Sequence, residues 1–178
     1  MQETGTRINK YMSQCGYCSR READRLIEKG EVWINGTLAT MGTKVMPGDT
    51  VMVHHTTITP CQKEYLLAFH KPAGIVCTTS KIDKNNVIDY LNFPERIYPV
   101  GRLDKESTGL LLLTNNGQLM DDILRGSNYH EKEYIVHVNK PITDSVLQAM
   151  AQGVPILDTI TRPCKIHRMG KDCFYITL

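Results

Sequence analysis

The chain has 178 residues, enough for one or two domains with a real core, and its 41% hydrophobic and 22% charged content is ordinary for a soluble globular protein. No apolar run approaches the length of a membrane span, and Met1 to Arg7 hold no hydrophobic signal segment, so secretion and membrane insertion are not expected and a cytoplasmic location is. A net charge of +2 is too small to declare a polyanionic partner by its sum, which leaves that question to the placement of the basic residues.

From the N-terminus, Ile8, Tyr11, Met12 and Cys15 recur at helical spacing, with Arg7, Lys10 and Gln14 on another face, so a helix is predicted there and Gly16 stops it. Ser19-Arg20-Arg21-Glu22 has the form of a capping box, the serine accepting from a first-turn amide and the glutamate reaching back. Ala23, Leu26 and Ile27 are the expected buried face of this second helix, and Gly30 closes it. Val32-Trp33-Ile34, Asn35-Gly36 and Thr37-Leu38-Ala39 read as strand, tight turn and strand, and Pro47-Gly48-Asp49 turns into a further strand, Thr50 to His54.

Arg20 and Arg21 stand in a first helical turn, where a cation opposes the macrodipole at about 0.3 to 1 kcal/mol each. Their positions make sense if an anion docks there, and Arg7 and Lys10 would extend such a site along a nucleic-acid backbone. The alternative is a solvated face on which Glu22 and Asp24 offset the arginines. Of the six cysteines, Cys15 and Cys18 have C-x-x-C spacing without a second pair, and Cys61, Cys77, Cys164 and Cys173 stand singly. No metal is expected from this set; reduced, mostly buried thiols are.

A polar connection, Thr56 to Lys63, reads as a linker. Beyond it Tyr65 to Phe69 is an apolar strand, Lys71-Pro72-Ala73-Gly74 a turn and Ile75 to Thr79 a returning strand. Asn86 to Leu91 and Gln118 to Arg125 are predicted helices, the latter closed by Gly126, with the strands Ile97 to Val100 and Gly109 to Leu113 between them. Tyr134 to Val138 alternates as a strand, Thr143 caps a helix running to Gly153, and Ile160 to His167 and Cys173 to Leu178 read as two final strands.

Gly101-Arg102-Leu103-Asp104, between two of these strands, places one carboxylate and one guanidinium two residues apart, hence on one face if the segment is extended. A nearby cation keeps a carboxylate ionised, and a positioned ionised aspartate can be a nucleophile; the same spacing also suits a structural ion pair.

Arg7-Ile8-Asn9-Lys10-Tyr11, Cys18-Ser19-Arg20-Arg21-Glu22-Ala23, Gly30-Glu31-Val32, Asn35-Gly36 and Pro47-Gly48-Asp49-Thr50-Val51, in this order, resemble the RNA-binding module of the ribosomal-protein S-four type. The resemblance implies RNA contacts at Arg7, Lys10, Ser19, Arg20 and Arg21, with Lys44 a weaker position. Lys71-Pro72-Ala73-Gly74, Tyr98-Pro99-Val100-Gly101-Arg102-Leu103-Asp104, Gly109 to Asn115 and Lys132-Glu133-Tyr134 resemble the pseudouridine synthases of the RsuA type, nearest the RluF and RluB branch that modifies large-subunit ribosomal RNA.

This second resemblance implies that Asp104 is catalytic, that Arg102 acts at the opened base stack and that Tyr134 packs against the target uracil; Lys71 is added to the RNA-binding set, its plain alternative being a turn cation, as a core tyrosine is for Tyr134. The implied fold is α+β, an αL-type RNA-binding domain at 1–55, a linker at 56–63 and a mixed, mainly antiparallel synthase sheet at 64–178. The implied reaction isomerises a uridine of structured RNA, 23S ribosomal RNA before tRNA, and needs no cofactor because it has no net redox change. In the resembled family a loop and helix rich in glutamine and arginine follow the last strand. The chain stops at Leu178, so an incomplete catalytic domain, a terminal strand with an open edge and self-association through that edge are expected, with a non-catalytic RNA-binding or ribosome-associated protein as the second function class.

Overall fold

The computed structural model describes residues 5–125 and 130–178. They divide into two compact units at Leu124, each α+β with antiparallel strand ladders. Among the described residues no helix is long and apolar enough to cross a membrane.

The first unit opens with β1 (Thr6–Arg7), α1 (Ile8–Gln14) and α2 (Arg20–Glu28). Both helices end on a left-handed glycine, Gly16 at φ +70° and Gly30 at φ +74°. Each glycine amide donates to the carbonyl three residues back, and the following amide, of Tyr17 or Glu31, reaches the carbonyl five back, which is the Schellman pattern. Ser19 caps α2 by accepting from the Glu22 amide at 3.2 Å. Glu22 does not complete the capping box; its carboxylate accepts from Arg25 at 3.1 Å instead.

The strands β2 (Val32–Ile34), β3 (Thr37–Leu38), β4 (Lys44–Val45), β5 (Val51–Val53) and β6 (Thr56–Ile58) follow. β1 pairs with β4, and the others form a sheet in the order β3-β2-β5-β6. Asn35 and Gly36, at φ 49° and 77°, make the β2–β3 connection a type I′ turn, whose twist suits a two-residue hairpin. Ile8, Met12, Ala23, Leu26, Ile27, Val32, Val51 and Val53 bury together as the core. The expected linker begins later than Thr56: Thr56–Ile58 pairs with Val51–Val53, and Ile58 is buried in the same core. An unpaired edge on β5 and one apolar side chain at the right register recruit these three residues into the sheet.

The unit continues through β7 (Leu66–Lys71), α3 (Val87–Leu91), β8 (Tyr98–Val100), β9 (Gly109–Thr114) and α4 (Gly117–Leu124). β9 is the middle strand of a sheet ordered β7-β9-β8. Leu111 and Leu113, pointing to one face, bury with Val87, Ile97 and Cys77. The stretch expected to return as a strand, Ile75 to Thr79, makes only an isolated parallel bridge, Val76 to Asn86. β9 pairs with one side of β7 over the full register from Leu66↔Thr114 to Lys71↔Gly109, and Val76 bonds its backbone to Asn85 and Val87 instead of to the other side. Asn86 caps α3 by accepting from the Ile88 and Asp89 amides. Gly126, expected to close α4, lies outside the described residues.

The second unit holds β10 (Glu133–His137), α5 (Asp144–Ala151), β11 (Pro155–Ile156), β12 (Thr159–Ile160), β13 (Lys165–Arg168) and β14 (Cys173–Thr177). Thr143 caps α5 through the Val146 amide, and Leu147 packs on Phe174 and Ile176. The single strand expected over Ile160 to His167 is two, because Pro163 has no amide for a ladder. The terminal strand does not have the open edge expected of it. β14 is the central strand of a sheet ordered β10-β14-β13, with both ladders filled from Cys173 to Thr177 on one side and from Phe174 to Thr177 on the other. Leu178 extends the first ladder, donating to and accepting from Lys132 at 2.9 Å.

Candidate active site and RNA-binding face

The segment between β8 and β9 is built as an anchored turn. Gly101 leaves β8 at φ +84°, a conformation cheap only for glycine. Leu103 turns inward to the core around Leu111 and Leu113, and its amide donates to the Cys77 sulfur at 3.4 Å. Arg102 and Asp104, on either side of it, are exposed, as alternation requires. The ion pair that the spacing allowed is not formed: among the described residues no bridge within 4.0 Å joins Asp104 to any cation. With both groups in water, such a pair would gain little.

The turn is held from beneath by Lys71. Its Nζ donates to the Pro72, Lys105 and Ser107 carbonyls at 2.9, 2.9 and 2.7 Å, which uses all three donors of an ammonium. The Gly74 amide adds a 2.8 Å bond to Lys105 O, and the Ser107 amide closes the turn on Asp104 O at 3.1 Å. Lys71 is fully buried, so it is no RNA contact, nor an exposed turn cation. It is a positioning residue for the backbone that presents Asp104.

Tyr134 lies on β10 opposite Ile176 and is 47% exposed, so it is not a core tyrosine. Asp104 and Arg102 belong to the first unit and Tyr134 to the second.

The basic positions of the first unit gather around the two helices. Arg20 and Arg21 open α2 and are exposed; Arg7 precedes α1 and pairs in register with Lys44 on β4. Lys10 is partly buried on α1, and the Ser19 hydroxyl is engaged as the cap of α2. The cleft beside them is also lined by Arg96 and Tyr98, which sequence reasoning missed; their alternate spacing, leading into β8, was the available signal. Burial pushes the Cys15 and Cys18 thiols up to about 11, so both stay protonated and inert at neutral pH. Among the described residues no three His, Cys, Asp or Glu side chains are grouped to hold a metal ion.

Residues 65–162 match the family model of RNA pseudouridylate synthase, and residues 6–51 that of the S4 domain. The chain belongs to the RNA pseudouridylate synthase family. It is 50% identical over 178 residues to the dual-specificity RNA pseudouridine synthase RluF of Escherichia coli O6:H1, covering 99% of this chain and 61% of that protein. The chain thus spans about three-fifths of the length of that curated relative. The ribosomal large subunit pseudouridine synthase B of Bacillus subtilis is 32% identical over 170 residues, 93% of this chain and 69% of the relative. Among solved structures, one described as the crystal structure of pseudouridylate synthase aligns at a TM-score of 0.59 with 26% identity, over 97% of this chain and 76% of that one. In this family member the S4 module and the Asp104 turn fall in one unit, and Tyr134 in the other.

Proposed function

We propose that the chain acts as an RNA pseudouridine synthase in the cytoplasm, isomerising a uridine in structured RNA, 23S ribosomal RNA before tRNA, with Asp104 as the reacting carboxylate. The observation that carries this reading is an exposed aspartate whose turn is clamped from below by a buried ammonium. The names of relatives at 50% and 32% identity, one dual-specific for RNA and one for the ribosomal large subunit, support the substrate class.

In the proposed chemistry the N1–C1′ bond of uridine breaks, the uracil turns over, C5 bonds to C1′, and the C5 proton is exchanged for one on N1. Atoms and electrons balance within the nucleoside. Asp104 either attacks covalently or stabilises a glycal-like intermediate. The target base leaves its stack at a cost of a few kcal/mol, and Tyr134 offers a ring against which it is held. Arg102, exposed beside Asp104, fills the opened stack, while Arg7, Lys10, Ser19, Arg20, Arg21 and Lys44 bind the RNA through S4-module contacts.

Ribosomal RNA and tRNA transcribed with uridine tritiated at C5 test this directly, since forming the C5–C1′ bond releases the label. Asp104→Asn should abolish release while RNA affinity stays within twofold, because the substitution is nearly isosteric and removes the charge. Residual turnover within tenfold of the parent refutes Asp104 as the reacting group. RNA binding by the parent with no release at all refutes the isomerase reading and leaves a binding role.

A further inference from the structure

Within the first unit, α1 and the start of α2 face β8 and α4 across a pocket of about 310 Å³. That is the lower end of the range for small-molecule sites. Its charged lining is Lys10, Arg20, Arg96 and Asp121, three cations to one carboxylate. Arg96 is fixed at two points. Its Nη1 donates to Ser13 Oγ at 3.3 Å, and its guanidinium carbon sits 5.8 Å from the centre of the Tyr98 ring. Tyr98 is fixed in turn, its hydroxyl donating to the Asn115 carbonyl at 2.6 Å. Partial burial raises the Tyr98 pKa, Arg96 and then Arg20 pull it down, and Asp121 pushes it up, so Arg96, Arg20 and Asp121 all act on this hydroxyl from the pocket lining.

A guanidinium oriented by an aromatic ring and a hydroxyl is a planar surface on which a nucleobase stacks, as well as a phosphate donor. A double-helical stem is far too wide for this volume; one unpaired nucleotide fits. We propose that the pocket receives a single unpaired nucleotide of the bound RNA, its base laid on the Arg96 guanidinium and its phosphate held by Arg20 and Lys10. This rests on the RNA reading above and extends it. The S4 helices and the synthase sheet then hold the same nucleotide, which sets the register between the docked RNA and the Asp104 turn.

The test titrates the whole chain with a pentaribonucleotide carrying 2-aminopurine at its centre, whose fluorescence reports stacking, alongside a labelled, fully paired RNA hairpin. Quenching that saturates is expected for the parent. Arg96→Lys, which keeps the charge and loses the plane, should weaken pentanucleotide binding by at least about fivefold, the low end of what one stacked base contributes. Thr79→Glu, at the exposed rim of the pocket, should do the same by opposing the phosphate, with hairpin affinity within twofold for both variants. Absent quenching, or quenching unchanged in both variants while the hairpin still binds, overturns the pocket alone. Failure to bind either RNA overturns the RNA reading with it. Free 2-aminopurine riboside monophosphate binding as tightly as the pentanucleotide overturns the assignment to RNA.

Discussion

Lys71→Met removes the buried ammonium and every donor on it, while methionine keeps an unbranched apolar stem that ends one heavy atom short of the lysine nitrogen. Three carbonyls lose a partner, those of Pro72, Lys105 and Ser107. Lys105 O retains the Gly74 amide at 2.8 Å, so two acceptors are left short. Each buried, unsatisfied acceptor costs about 1–3 kcal/mol, and relief from burying a charge runs the other way. A net loss of about 2–3 kcal/mol is expected. At about 2–4 °C per kcal/mol for a chain of this size, the unfolding midpoint falls by roughly 4–12 °C. Calorimetry reads the midpoint, and hydrogen exchange of the Ser107 amide, bonded to Asp104 O at 3.1 Å, reads the turn itself. A midpoint within about 2 °C of the parent with Ser107 exchange unchanged would refute the clamp.

Arg20→Ala combined with Arg21→Ala should weaken binding to folded ribosomal RNA and lower the slope of log affinity against log salt by about 0.7–0.9 for each phosphate no longer neutralised; an unchanged slope removes both arginines from the RNA face. Burial raises the Cys15 and Cys18 thiols from near 9 to about 11. The folded chain therefore keeps protons that the unfolded chain releases, so stability is full below pH 9 and declines as pH rises toward 11. Urea titrations across that window should show the decline, and Cys15→Ala with Cys18→Ala should flatten it; stability that rises with pH would contradict the burial.

What the sequence made legible was what neighbours in the chain decide. Ser19 could be read as a cap and Gly16 and Gly30 as stops because each acts within one helical turn. Lys71 could not be read, since its partners at Lys105 and Ser107 lie 34 and 36 residues away and a lysine before proline looks like a solvated turn. Ile75 to Thr79 has the composition of a strand, but Val76 bonds its backbone to Asn85 and Val87 across a loop whose course composition does not reveal. The place of β14 between β10 and β13 likewise follows from pairing over long separations. Asp104 was singled out through its motif and its two-residue spacing from Arg102; the absence of an ion pair between them depends on side-chain exposure, which spacing leaves open. Arg96 entered the site through Ser13, 83 residues earlier.

The central position of β9 also orders assembly. β8 and β9 are joined by a short connection and can pair as soon as both exist, whereas β7 must close a loop of several dozen residues to reach the other side of β9. Local pairing costs less closure entropy and comes first. Asp104 is therefore displayed on an early hairpin, but its backbone stiffens only when β7 arrives and delivers the Lys71 ammonium under Lys105 and Ser107. A partly folded chain holds the Asp104 carboxylate on a loose turn; the long-range strand closure links rigidity at Asp104 to completion of the sheet.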